Sequence, residues 1–141
     1  MTPVSDQLYA RILHFYARQT HALDEGKLTE YADTFTDDVV FHHTPDAEPA
    51  RTRAGILAAA QAQQEATRDA PVRKRHHFNH VVAEPAPDGT VLTTYYALVV
   101  RSRPGEKTPD IWPSCVLRDT LVVDDGTILV RERKITYDHL G

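Results

Sequence analysis

Two periodicities of apolar and polar residues divide the chain into an N-terminal helical part and a C-terminal part made of strands. In the N-terminal part apolar residues recur at helical spacing, which predicts a first helix over residues 5–23. Ser5 is placed to cap this helix, and Gly26 to end it in a left-handed conformation. Two shorter helices are predicted over residues 28–34 and 53–67.

The remaining segments alternate with period two, as half-buried strands do. A turn at residues 37–38 precedes an early strand over residues 39–43. Four longer strands follow the third helix, at residues 74–84, 91–103, 114–123 and 128–137. The Asp-Gly pair at 125–126 lies between apolar runs and predicts a hairpin. The order predicts an α+β fold in which three helices pack on one face of a curled, mainly antiparallel sheet and enclose a pocket.

Composition limits the classes of function. A length of 141 residues suits one domain, residues 1–141, and the hydrophobic and charged fractions of 41% and 26% are those of a soluble protein. The net charge of −4 argues against a nucleic-acid partner. The single cysteine excludes an intrachain disulfide. No signal peptide and no apolar run of roughly 18 residues is recognisable, so a cytoplasmic protein without membrane contact is expected.

Histidine is the unusual residue, with eight copies, five of them in two clusters at 42–43 and 76–80. If Val81 points inward, strict alternation turns Asn79 and His77 inward as well. His76, Phe78 and His80 then lie on the outer face, where they would suit a dimer contact. An inward histidine beside an asparagine is placed for proton transfer near neutral pH. The alternative is a histidine of the core or of a subunit interface, hydrogen-bonded to a backbone carbonyl.

Other candidate residues each have two interpretations. Asp24, at the end of the first helix, either bonds its own backbone in a turn or orients an imidazole at the mouth of the cone. His42 and His43 point to opposite faces of their strand, and one of them shares the face of Phe41. A metal site of two histidines and a carboxylate would need His43 and His77, but no ligand spacing supports it. The charged residues at 118–119 and 131–134 are expected on solvated faces or in cross-strand pairs.

With these segments in place, the chain resembles the SnoaL-like branch of the nuclear-transport-factor-2-like superfamily, and most of all its scytalone dehydratase-like and polyketide cyclase group. The resemblance extends from Leu8 to Asp138. It rests on the segments 23–26, 35–41 and 75–78, and on Asp125, Gly126, Arg133 and Asp138. It implies a cone of three helices on a curled sheet and no cofactor.

The resemblance also implies site residues. Scytalone dehydratase-like members pair an aspartate at the end of the first helix with a histidine on the strand after the third helix, at positions matched by Asp24 and His77. The pocket tyrosine of the family falls at His43. Its second histidine falls near Ser102 and its pocket asparagine near Leu117, so these two polar groups are not preserved.

The resulting hypothesis is a cofactor-independent dehydratase, cyclase or isomerase acting on a carbonyl-containing small molecule, either polyketide-derived or aromatic. His77, oriented by Asp24, would remove a proton alpha to the carbonyl. The enolate oxygen would be bound by His43, with Tyr96 or Tyr16 if they face inward. Asn79 and Phe41 complete the predicted substrate-binding residues. The alternatives are a non-catalytic module like the β subunits of ring-hydroxylating dioxygenases, or a domain that binds a small ligand. A homodimer formed through the sheet face is expected.

Overall fold

A computed structural model describes residues 4–140 as three helices packed against a curled sheet. The helices are α1 (Asp6–Asp24), α2 (Leu28–Ala32) and α3 (Arg53–Ala66), and a 3₁₀ turn covers Asp138–Leu140. The strands are β1 (Phe35–His42), β2 (Ala50–Arg51), β3 (Arg73–Pro85), β4 (Val91–Ser102), β5 (Asp110–Ile111), β6 (Cys115–Asp124) and β7 (Thr127–Tyr137). The predicted α+β fold is confirmed.

The seven strands form one sheet in the order β2-β1-β7-β6-β4-β3, with β5 paired to β4. The four long strands β3, β4, β6 and β7 make the predicted antiparallel meander. β1 closes the cone by pairing in parallel with β7, which period-two alternation alone does not reveal. As a result β1, β4 and β7 all end where β3 and β6 begin. We call this end of the cone the rim.

The ends of α1 follow the predicted signals. The Ser5 hydroxyl accepts a hydrogen bond from the backbone N–H of Leu8 at 3.1 Å, which satisfies one of the free donors of the first turn. Gly26 has a φ of +74°, the left-handed conformation that glycine adopts without strain. Ile12, Tyr16 and Gln19 are buried along the face that packs on the sheet. None of the helices within residues 4–140 has the length and apolar character needed to cross a membrane.

β1 starts earlier than predicted, because Asp37 and Asp38 lie within the strand and do not form a turn. The pairing of β1 with β7 is irregular between Phe35 and Val40, so the polar residues in between lose the alternation that marks a strand. The Thr36 hydroxyl bonds the Asp38 carboxylate at 2.8 Å in this irregular part.

A bulge in β3 overturns the predicted orientation of its N-terminal half. Asn79 pairs with Tyr96 and Val82 with Thr94, so His80 and Val81 together face the single residue Tyr95. His80 has a φ of +54° at this point. The extra residue shifts the alternation by one, because successive side chains of a strand point to opposite faces. His76 and Phe78, rather than His77 and Asn79, therefore share the inner face with Val81.

Candidate active site

Asp24 and His76 form a close pair at the rim, where the end of α1 meets the start of β3. Oδ1 of Asp24 lies 2.5 Å from Nδ1 of His76, and Oδ2 accepts a hydrogen bond from the backbone N–H of His76 at 3.0 Å. The Asp24 side chain is 8% exposed and that of His76 is 23% exposed. The structure thus confirms that Asp24 bonds an imidazole, but the prediction that this imidazole belongs to His77 is wrong.

Three of the predicted site residues lie on the outer face of the sheet. His77 and Asn79 are exposed there because the bulge sits between them and Val81. Tyr96, which pairs with Asn79, is 55% exposed and packs edge-on against His80 with ring centroids 5.7 Å apart. The predictions that these three side chains face the pocket are therefore wrong, as is the placement of His76 and Phe78 on the outer face.

A buried ion pair, Arg133 with Asp119, occupies the centre of the cone. The Arg133 side chain is 2% exposed and that of Asp119 is fully buried. Nε of Arg133 donates to Oδ1 of Asp119 at 2.9 Å, and one terminal nitrogen donates to Oδ2 at 3.0 Å. The same terminal nitrogen donates to the side-chain oxygen of Gln19 on α1 at 2.7 Å. Charged residues expected mainly on solvated faces thus form the polar centre of the core.

Two tyrosines complete this network. The hydroxyls of Tyr16 and Tyr95 donate to Oδ2 of Asp119 at 2.7 and 2.8 Å, and the Tyr16 hydroxyl also bonds that of Thr93 at 2.6 Å. Burial raises the pKa of both tyrosines well above the ordinary value, so both are neutral donors. Tyr16 faces inward as the hypothesis required, but its hydroxyl is already bonded to two core residues.

Aromatic rings surround the Arg133 guanidinium. Its central carbon lies 5.4 to 6.0 Å from the ring centroids of Phe35, Phe41, Phe78 and Tyr95. Such cation–π contacts stabilise a desolvated guanidinium. Phe41 is buried on the inner face, as predicted.

His43 follows β1 and stacks face to face on Phe41, with ring centroids 3.9 Å apart and an interplanar angle of 3°. This contact places His43 on the face of Phe41, while His42 turns away and lies 3.9 Å from the carboxylate of Glu132. Partial desolvation, together with the positive charge of Arg133, lowers the pKa of His43. The neutral imidazole that results can donate a hydrogen bond without carrying a charge.

The topology brings His43 and His76 to the same end of the cone. Both Phe41 and Phe78 contact Arg133, and β1 and β3 run in opposite directions. His43 lies two residues after Phe41 and His76 two residues before Phe78, so both histidines lie on the rim side of Arg133. In residues 4–140, no three histidine, cysteine or carboxylate side chains cluster as a metal site requires.

Comparisons with known proteins place the chain in a family. The profile of the SnoaL-like domain matches residues 7–134. No functionally curated protein matches the sequence. Among solved structures, ActVI-ORFA from Streptomyces coelicolor is 40% identical with a TM-score of 0.87, and the match covers 94% of this chain and 98% of that one.

Two further structures agree. Aln2 from another Streptomyces strain is 33% identical with a TM-score of 0.88, covering 99% of this chain and 96% of its own. A protein from Catenulispora acidiphila, solved in complex with S-DNPA, is 39% identical with a TM-score of 0.82, covering 96% of this chain and 97% of its own. The chain belongs to the SnoaL-like domain family.

Proposed function

We propose that the chain is a cofactor-independent acid–base enzyme that dehydrates, cyclises or isomerises a carbonyl-containing small molecule, with His76 as the proton-transferring residue and Asp24 as its positioning residue. The observation that carries the proposal is the two-point contact of Asp24 with His76. Membership of a family that includes polyketide cyclases and dehydratases supports an enzymatic role. A polyketide-derived or aromatic substrate is part of the proposal.

The chemistry follows from the tautomer that Asp24 favours. A carboxylate beside Nδ1 keeps the proton on that nitrogen, which leaves the Nε2 lone pair free to accept one. Nε2 of His76 removes a proton alpha to the substrate carbonyl, and the electron pair moves onto the carbonyl oxygen to give an enolate. In a dehydration the enolate collapses with loss of a β-hydroxyl, which takes the proton from Nε2 and leaves as water.

His43 is proposed to stabilise the enolate. It is on the rim side of Arg133 together with His76, and its lowered pKa keeps it neutral, so that it donates a hydrogen bond to the developing oxyanion. Removal of one such donor typically costs about 10²–10³-fold in rate. The aromatic rings of Phe41 and Phe78 form the apolar floor beneath the substrate.

The test uses the two adjacent histidines of β3 as a matched pair. S-DNPA, the ligand of the Catenulispora relative, serves as the first probe. Its change in mass and its deuterium uptake from D₂O are followed by mass spectrometry with the wild-type protein, His76→Gln and His77→Gln. We expect the wild type and His77→Gln to react and His76→Gln to lose at least about 100-fold in rate.

Equal rates in the two variants would contradict a catalytic role of His76. Binding of S-DNPA without any turnover or exchange in the wild type would favour the alternative, a domain that binds a small ligand. Circular dichroism of both variants checks that each is folded.

A further inference from the structure

Lys74 lies on the same face of β3 as His76. The β3–β4 ladder is regular from Arg73 to Asn79, so the side chains of Lys74, His76 and Phe78 point to one face. Burial follows the same alternation, because Arg73 and Arg75 are exposed whereas Lys74 is half-buried. Lys74 is therefore an inner-face cation on the rim side of His76.

Arg101 lies directly opposite Lys74 on β4. Its guanidinium packs over the ring of Trp112 at 5.6 Å and bonds the carboxylate of Asp110. Arg103 binds the same carboxylate at 2.5 Å, so one carboxylate serves two guanidinium groups. Lys74 forms no ion pair with any residue of the described chain.

Three cations thus lie close together at the start of β3 and the end of β4. Arg101 and Arg103 share the carboxylate of Asp110, whereas Lys74, directly opposite Arg101, takes no part in this pairing. Of the three, Lys74 has no anionic partner and is also nearest along the strand to His76. A lysine on the inner face without an anionic partner can donate a charge-assisted hydrogen bond to the carboxylate of a ligand.

We propose that Lys74, together with Arg101, binds the carboxylate of an aromatic carboxylic acid, and that this contact determines substrate specificity at the His76 site. The inference rests on the proposed function for the identity of the reacting site, but its test measures binding alone. Residues two apart on a strand are separated by about 7 Å. The substrate carboxylate is accordingly expected about that far from the carbon that loses its proton.

Charge also orients the ligand. Asp24, bonded to His76, carries a negative charge that disfavours the substrate carboxylate at the helix end of the site. Lys74 and Arg101 favour it at the opposite side, towards the start of β3 and the end of β4. The aromatic body of the ligand then lies over Phe78, and its carbonyl faces the histidines.

The test compares an acid with its neutral isostere. 1-Naphthylacetate and 1-naphthylacetamide are titrated into ¹⁵N-labelled protein, and dissociation constants are read from amide shifts. The single tryptophan gives one indole N–H signal, and Trp112 stacks on Arg101, so this signal reports the proposed site directly. We expect the acid to bind about 10-fold more tightly than the amide, as one charge-assisted hydrogen bond implies.

Three variants locate the effect. Lys74→Met should reduce the preference for the acid to less than about 2-fold, whereas Lys74→Arg should retain it. Lys134→Met is the control, because it removes the same charge from an exposed position on the opposite face of the sheet. It should leave the preference intact.

The proposal is overturned if the wild type binds acid and amide equally or binds neither. It is also overturned if Lys74→Met keeps the preference, or if Lys134→Met loses it to the same extent. His76→Gln separates this proposal from the proposed function, since it should abolish proton exchange and keep the preference for the acid. A wild type that prefers the acid but never exchanges a proton would contradict only the proposed function.

Discussion

The carboxylate of Asp24 binds two nitrogens of a single residue, the ring Nδ1 and the backbone N–H of His76. The backbone contact fixes the strand relative to the end of α1, and the ring contact fixes the rotation of the imidazole. A change at Asp24 therefore alters the direction of the His76 lone pair as well as its tautomer.

Replacement of Asp24 by Asn tests this coupling. The amide can still bond the backbone N–H, but it no longer holds the proton on Nδ1. We expect turnover in the assay with S-DNPA to fall by about 10²–10⁴-fold while the protein remains folded. Glu25→Gln is the matched control, because Glu25 is an exposed neighbour paired with Lys27 at 3.1 Å, and it should retain full activity. An Asp24→Asn variant as active as this control would contradict the positioning role.

The central ion pair should dominate the response of stability to mutation. Asp119→Ala leaves the buried Arg133 without a counter-ion and removes the acceptor of the Tyr16 and Tyr95 hydroxyls. Removing one partner of a buried pair typically costs about 3–5 kcal/mol. We expect a loss of that size in the free energy of unfolding, measured by urea denaturation and followed by circular dichroism.

The double variant Asp119→Leu/Arg133→Met separates the pair from its parts. Because both charges are gone, the double variant should unfold at a higher urea concentration than Asp119→Ala. If it is the less stable of the two, the penalty in the single variant arises from lost packing and not from an unpaired charge.

His43 should make stability depend on pH. Desolvation and the charge of Arg133 lower its pKa from the ordinary value of 6.5, so the unfolded chain takes up the proton more readily than the folded one. His43 therefore makes its whole contribution to stability above pH 6.5, and this contribution is lost as the pH falls below 6.5. Urea midpoints at about pH 7.5 and 5.5 should differ less in His43→Phe, which keeps the stacking on Phe41. An unchanged difference would exclude His43 as the source.

Cys115 should be unreactive in the native protein. Burial, helped by the nearby Asp138 carboxylate, raises the pKa of its thiol to about 11, and the thiol donates to the backbone carbonyl of Ala97 at 3.6 Å. Since the thiolate is the nucleophile, we expect reaction with Ellman's reagent at pH 8 to be at least about 100-fold slower than in urea. Rapid labelling without denaturant would show that the rim opens around Cys115.

The helices and the four-stranded meander were predictable because their signals are local. Ser5 and Gly26 delimit α1, and the Asp-Gly pair at 125–126 forms the turn between β6 and β7. The parallel pairing of β1 with β7 joins segments about ninety residues apart and has no local signal. The choice of Asp24 depended on its position at the end of α1, which holds in the structure.

The histidine that bonds Asp24 was misassigned because alternation was counted through a bulge. Its signal is in the sequence: Phe78 and Val81 are both apolar yet three apart, and only an extra residue between them puts both on one face. The buried Asp119 has a signal in the sequence as well, because the apolar residues Leu117 and Leu121 lie two positions away on either side and so share its face of the strand. Its partner Arg133 is recognisable only from the cross-strand register.

Arg133 links parts of the molecule that are distant in sequence. Its guanidinium bonds Gln19 on α1 and Asp119 on β6, and it packs on rings from β1, β3 and β4. Separation of α1 from the sheet would leave this charge with fewer partners, so the helix and the strands are expected to unfold as one cooperative unit. Local opening is then expected at the rim, where the substrate of the proposed reaction would enter and leave without disturbing the centre of the cone.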